Sequence, residues 1–162
     1  MGRHWYTARS YQASIERIIG SRHVFGLGAD IISGFPGESE EDHRQTLALV
    51  ERLPFTSLHV FPYSPRPGAA ALRLGGPVGS AEIDRRCSEL REVSRRKAAQ
   101  YSKLRIGGAA DVVAVSGDEG LTQDYLTVAI SSPRIRRRDR FDATLVTRNG
   151  KLTAATADTL EA

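Results

Sequence analysis

The chain has a single cysteine, Cys87, among 162 residues. One thiol cannot make an internal disulfide, nor supply the three or four thiolates of a cysteine-based zinc or iron–sulfur site. Cys87 reads instead as a small buried residue on a helix face. No apolar run is long enough to span a bilayer. The opening residues, Met-Gly-Arg-His-Trp-Tyr-Thr, have no apolar stretch behind their basic residue, which argues against a secretory signal. The expectation is a cytoplasmic protein with no membrane association. The histidines, His4, His23, His43 and His59, show no metal-ligand spacing. There is also no Gly-x-Ser-x-Gly elbow and no Lys-Ser or Lys-Thr to complete a phosphate loop.

What is present is a globular composition, 40% hydrophobic and 26% charged. The net charge of +4 is unevenly placed. Residues 1–40 and 105–162 each balance, residues 41–79 carry +1, and residues 80–104 carry +3, with seven basic side chains against four acidic. A second, local basic cluster lies at Arg134-Ile-Arg-Arg-Arg-Asp-Arg140. Mild basicity by itself is weak evidence for a nucleic-acid partner.

Thr7 can cap a helix to about Ile19, with Tyr11, Ile15, Ile18 and Ile19 as its apolar stripe and Gly20 to His23 closing it. Val24 to Ser33 reads as a buried strand. Ser39-Glu-Glu-Asp42 is a capping-box-like start for a helix running to about Leu53 on Leu47, Val50 and Leu53. Leu58 to Tyr63 is the next strand, so this part is a βαβ unit with parallel strands. Residues 65–79 read as an irregular connection. Ser80 can cap a long helix to about Leu104, with Ile83, Cys87, Leu90, Val93, Tyr101 and Leu104 inward and most arginines, Arg85 and Arg86 among them, outward.

After Gly107-Gly108 the texture becomes short β-rich runs at 112–115, 125–130, 141–147 and 151–156. Asn149-Gly150 between two of them is a hairpin signal. Strands this short and this closely spaced suggest a small OB-like barrel. The expected division is 1–79, a connecting helix 80–104, and the barrel 105–162.

Two strand ends carry the chemistry. The corner Gly34-Phe-Pro-Gly-Glu38 follows a strand and precedes a helix N-terminus, whose free N–H groups could hold an anion. The competing reading is a tight structural corner, and Glu38 with the acids behind it would repel phosphate. Asp30, within the strand, either faces a ligand pocket or is tied to adjacent loops. His59 reads as a hydrogen-bonded core or edge residue. In the β-rich tail, Tyr125 with Arg134, Arg136, Arg137 and Arg138 combines an aromatic face with guanidinium groups, as small barrels do to hold single-stranded RNA. The alternative is a solvated loop.

Asp30-Ile-Ile-Ser-Gly-Phe-Pro-Gly-Glu-Ser-Glu-Glu-Asp42 resembles the fifth strand and following helix of the radical S-adenosylmethionine methylthiotransferases. Leu58-His-Val-Phe-Pro-Tyr-Ser-Pro-Arg-Pro-Gly68 is similar to their sixth strand, in the wording of the branch that modifies threonylcarbamoyl-adenosine at tRNA position 37. Arg3 to Thr7 resembles the family's Met-x-Arg-x-Tyr-Thr segment with one extra residue before Tyr6. Gly120-Leu-Thr-Gln-Asp-Tyr-Leu126 resembles the core of its TRAM domain, an RNA-binding barrel. The resemblance implies the last βαβ part of a partial TIM-type barrel, then a TRAM barrel. It implies S-adenosylmethionine and [4Fe–4S] clusters as cofactors and tRNA as partner. Asp30, Ile32, Gly34, Glu38, Phe61 and Tyr63 would border the cofactor. Glu38 lies one position later than the usual spacing. The cluster motif Cys-x-x-x-Cys-x-x-Cys and strands one to four are missing. The chain is therefore expected to be a fragment or truncated paralogue, inactive alone. The alternatives are a non-catalytic RNA-binding module and a half-enzyme docking on a separate chain that carries the missing N-terminal portion.

Overall fold

A computed structural model describes residues 7–20 and 25–157. Arg3, His4, Tyr6, His23 and Val24 lie outside them. The chain divides into two units, Met1–Ala98 and Ala99–Ala162. The first is mixed α/β and the second holds a closed five-stranded barrel.

In the first unit, α1 (Ala8–Ile19) opens on a capping box in which Thr7 and Ser10 satisfy each other's backbone N–H groups. Of its expected stripe only Ile15 is fully buried, and Ile18 is 53% exposed. β1 (Gly28–Ser33) is shorter than the expected strand. α2 (Glu40–Arg52) starts on a second capping box, Ser39 with Asp42. β2 (Ser57–Pro62) pairs with β1 in parallel, with Asp30 opposite His59 and Ile32 opposite Phe61. Parallel pairing follows from the helical crossover, since a short hairpin cannot join parallel strands. The connection after β2 holds one 3₁₀ turn, Ala70–Arg73. Its Gly76 carbonyl accepts a hydrogen bond from the Gly37 N–H at 2.8 Å, tying it to the corner.

One face of the two-stranded sheet is covered. Ala29, Ile31 and Val60 pack against a core of Ile15, Val50, Leu53, Phe55, Leu58, Leu90 and Val93. α3 (Ser80–Arg105) also covers the outer edge of β2. Ser94 Oγ accepts from the Leu58 N–H at 3.0 Å, and Arg91 donates to the Val60 carbonyl at 3.3 Å. The outer edge of β1 has no strand partner among the described residues. The opposite face is open, which corrects the expectation of a buried strand. Asp30 and His59 are exposed, and Ile32 and Phe61 are 47% and 49% exposed. A sheet with helices on one side only cannot bury both faces.

The second unit contains the last turns of α3 and strands β3 (Ala109–Ala114), β4 (Glu119–Thr122), β5 (Thr127–Ile130), β6 (Arg140–Arg148) and β7 (Lys151–Ala155). They close in the order β3-β4-β5-β7-β6, all antiparallel except β5 with β7. Alternation places Ala110, Val112, Val128, Ala143, Leu145 and Ala154 inside. The Asn149-Gly150 hairpin is as expected, with both residues at positive φ, 50° and 74°. β4 was not expected as a strand. Leu104, expected inward, is 78% exposed, and Arg105 is buried in its place.

Candidate functional site

The first candidate lies where β1 ends. Gly34 has φ +85°, and a Cβ built on it would meet Ile83 at 2.4 Å, so both backbone and space require glycine. The chain turns through Phe35 and Pro36 to Gly37 and reaches Ser39, the cap of α2. Glu38 folds back beneath this turn. Its Oε2 accepts from the N–H groups of Gly34 at 2.6 Å and Phe35 at 3.0 Å. Its Oε1 lies 3.2 Å from Arg86 Nη1. The corner's own N–H groups, those of Gly34 and Phe35, are taken by this internal carboxylate.

Arg86 is only 4% exposed, a correction to its expected outward position. It donates to Glu82 at 3.0 Å, to the Glu38 carbonyl at 3.1 Å and to Glu40 at 3.3 Å. A buried guanidinium is tolerated because these partners satisfy it. His43, equally buried, makes a 2.8 Å hydrogen bond through Nε2 to Glu89. That bond first, and Arg85 after it, hold the Glu89 carboxyl below its usual range against the opposing effect of burial. Arg85 likewise holds Glu82 down to about 2.

Above the corner is an open cavity of about 470 Å³ lined by Ile32, Phe35, Pro36, Glu38 and Thr46 among others. Of the predicted cofactor residues, Ile32 and Glu38 line it. Phe61 stands beside Ile32 on the open sheet face, and Asp30 lies on the same face one pair back. Tyr63 is half-buried, with its ring edge-on to Phe35 at 5.4 Å. Phe35 is the contributor that sequence reasoning passed over. An aromatic two residues past the strand end is its only signal in the sequence. Cys87 is buried at 1% exposure, and burial pushes its thiol up. A cluster that needs several thiolates does not fit these residues. Among the described residues no group of three or more His, Cys, Asp or Glu side chains is placed to hold a metal.

The second candidate lies on the barrel. Tyr125 is 79% exposed and holds φ 64°, unusual for a bulky residue. Its position is set from beneath. Asp124 is buried and its Oδ2 accepts from Tyr101 Oη and Arg105 Nε, both at 2.6 Å. Burial opposes ionisation of Asp124, but the hydrogen bonds from Arg105, Tyr101 and Thr122 outweigh it and keep the carboxyl below its usual range. Burial, then the bond to Asp124, pushes the Tyr101 phenol up.

Beside Tyr125 is a groove of about 300 Å³ that reaches Asp111, Val113, Gln123 and Arg140. The predicted arginines stand in the connection between β5 and β6. The 136–139 turn is clasped to the end of β3, with Arg138 N–H donating to the Ala114 carbonyl and Ala114 N–H to the Asp139 carbonyl. Arg136, Arg137 and Arg138 are exposed, and their side chains make no ion pair among the described residues; Arg134 is also exposed and is engaged in a contact. The structure thus sets Tyr125 and the arginines toward opposite ends of β3, with Arg140 between them.

The two units together define a βαβ layer with a ligand-sized corner and a small barrel with an aromatic and basic face. No protein-family model matches the chain. It is 29% identical over 76% of its length to the threonylcarbamoyladenosine tRNA methylthiotransferase of Aquifex aeolicus. It is 35% identical over 70% to the enzyme of that name from Thermotoga maritima, and 34% identical over 70% to the tRNA-2-methylthio-N(6)-dimethylallyladenosine synthase of Mycolicibacterium gilvum. The chain belongs to the tRNA methylthiotransferase family. It spans 30%, 26% and 22% of the length of these relatives.

Proposed function

We propose that the chain supplies the C-terminal part of a tRNA methylthiotransferase of the threonylcarbamoyladenosine branch. The βαβ layer is a segment of a partial TIM-type radical S-adenosylmethionine barrel, and the second unit is a TRAM barrel that holds tRNA. The observation that carries this reading is the open face of the first unit. Ile32 and Phe61 stand half exposed, and the outer edge of β1 has no strand partner among the described residues. That is what a wall of a larger barrel looks like when the neighbouring strands are elsewhere. S-adenosylmethionine would supply the methyl group and, reductively cleaved at an iron–sulfur cluster, a radical. Here Ile32 and Phe61 give an apolar wall suited to its adenine, and Tyr63 borders them. Asp30 lies on the same face. Gly34 and Glu38 shape the corner beneath.

The cluster ligands would have to come from other cysteines, in a longer or a separate chain. This chain alone therefore does not cleave the sulfonium. Anaerobic reconstitution followed by iron analysis and a cleavage assay tests that. The expected result is no stoichiometric iron and no 5′-deoxyadenosine, and finding both would overturn it. Filter binding to an unmodified tRNA transcript tests the barrel. Binding that weakens with salt is expected, and no binding would remove the RNA part of the proposal.

A further inference from the structure

Between Tyr125 and the Arg136–Arg138 turn, Arg140 is already engaged. Its Nε donates to Asp111 Oδ1 at 2.9 Å and Oδ2 at 3.0 Å, and its Nη2 closes a further contact to the same carboxylate. The pairing is between neighbouring strands, Arg140 lying opposite Val113 and Asp111 opposite Asp142. Arg140 remains 73% exposed at the side chain and Asp111 30% exposed, so a solvent-borne anion can reach the guanidinium.

The floor and walls of the same groove are suited to a base. Tyr125 offers an exposed ring at one end, and Val113, 43% exposed, an apolar patch in the middle. Gln123 is fixed as well. Its Oε1 accepts from the Asp111 N–H at 2.8 Å, which directs its amide NH₂ away as a donor. The left-handed backbone at Tyr125 is a local strain that the buried Asp124 network holds in place.

We propose that this groove takes one unpaired nucleotide of RNA, with the base against Tyr125 and the phosphate on Arg140, and that Asp111 is an internal competitor which the phosphate must displace. The inference rests on the RNA-binding reading above and adds to it a subsite and a built-in brake. A guanidinium shared with a carboxylate costs the incoming phosphate part of its attraction, which lowers affinity while penalising partners that cannot also stack. The hydrogen bonds from Arg140 hold the Asp111 carboxyl below its usual range, so the brake is set at neutral pH.

The test is anisotropy of a labelled oligouridylate bound to the full chain, measured across a salt series. Asp111→Asn keeps the side-chain shape and the backbone bond to Gln123. It should tighten binding about three- to tenfold, and the gain should vanish when Arg140→Gln is also present. Arg140→Gln alone should weaken binding and reduce the salt slope by about 0.7. Tyr125→Ala should weaken it about tenfold, with Tyr125→Phe close to the parent. An unchanged affinity in Asp111→Asn, or an equal gain with and without Arg140, overturns the brake. Parent-like binding by Tyr125→Ala overturns the stacking site. If these variants are silent while Arg137→Ala still weakens binding, the subsite falls and the RNA reading stands. If the parent binds neither oligouridylate nor tRNA, both fall.

Discussion

Gly34 and Glu38 are neighbours in one corner, and they differ in how much of their role could be read in advance. Two glycines around a proline mark a turn with unusual dihedrals, and Gly34 takes one. Replacing it with alanine should cost about 2–4 kcal/mol, combining the left-handed backbone with overlap on Ile83. Urea denaturation should show a lower midpoint at unchanged slope. Glu38 reads in the sequence only as an acid that would repel phosphate, and its structural partners do not show there. Its partners are the N–H groups behind it and Arg86, which is 48 residues away in sequence. Local pattern contains no such pairing. Glu38→Gln should destabilise the chain by about 1–3 kcal/mol, because Arg86 stays buried with a weakened partner. Arg86 was misplaced for the same reason. Its i, i+4 bond to Glu82 was visible on the helix, but the acids of the α2 start were not.

At the scale of elements, the Thr7 cap, the Ser39 capping box and the approximate helix spans are legible because caps are local chemistry, although Ser80, expected as a cap, is the first residue of α3. The parallel pair followed from its crossover. β4 was not legible. It has four residues, and Gly120 lowers its strand propensity, yet a Cβ there would sit 2.6 Å from Val112. Its presence is dictated by closure of the barrel against β3. The end of α3 slipped by one residue for a related reason. An apolar stripe predicts Leu104 inside, whereas the buried Asp124 carboxylate recruits Arg105, four residues after Tyr101. This pairing has a pH signature. Asp124 is depressed in the fold, so its contribution is present above its ordinary value of 3.8 and is lost as pH falls below that. Tyr101 is raised, so its contribution is complete below its ordinary value of 10.0 and is lost as pH rises past it. Thermal melts followed by circular dichroism should show a plateau between these limits. Asp124→Asn should cost about 3–5 kcal/mol, leaving Arg105 buried without its anion, and should flatten the acid limb.

Across the whole molecule, the charge excess does not coincide with the proposed RNA face. The arginines of α3 are largely neutralised nearby. Arg85 bonds Glu40, Glu82 and Glu89, Arg95 bonds Glu92, and Arg96 bonds Glu51. Lys97 caps α2 through the carbonyls of Glu51 and Leu53 at 2.9 Å and 2.8 Å. In the balanced β-rich part, Arg136 to Arg138 are exposed and have no ion-pair partner among the described residues. Substituting those three with glutamine should lower the salt slope of tRNA binding by about 2–3, whereas Arg95→Gln should leave it unchanged. Segment charge puts the excess on the helix, because counting cannot see which cations are already paired.

The position of α3 across the division at Ala98 and Ala99 has a consequence for inheritance. The sequence suggests cutting at Gly107, but a barrel excised there would leave behind Tyr101 and Arg105 and keep Asp124 as a lone interior anion. Any recombination that moves such a barrel between proteins must carry the preceding two turns of helix with it. The heritable module is therefore a helix tail plus five strands, and gene breakpoints that respect glycine linkers alone would be selected against.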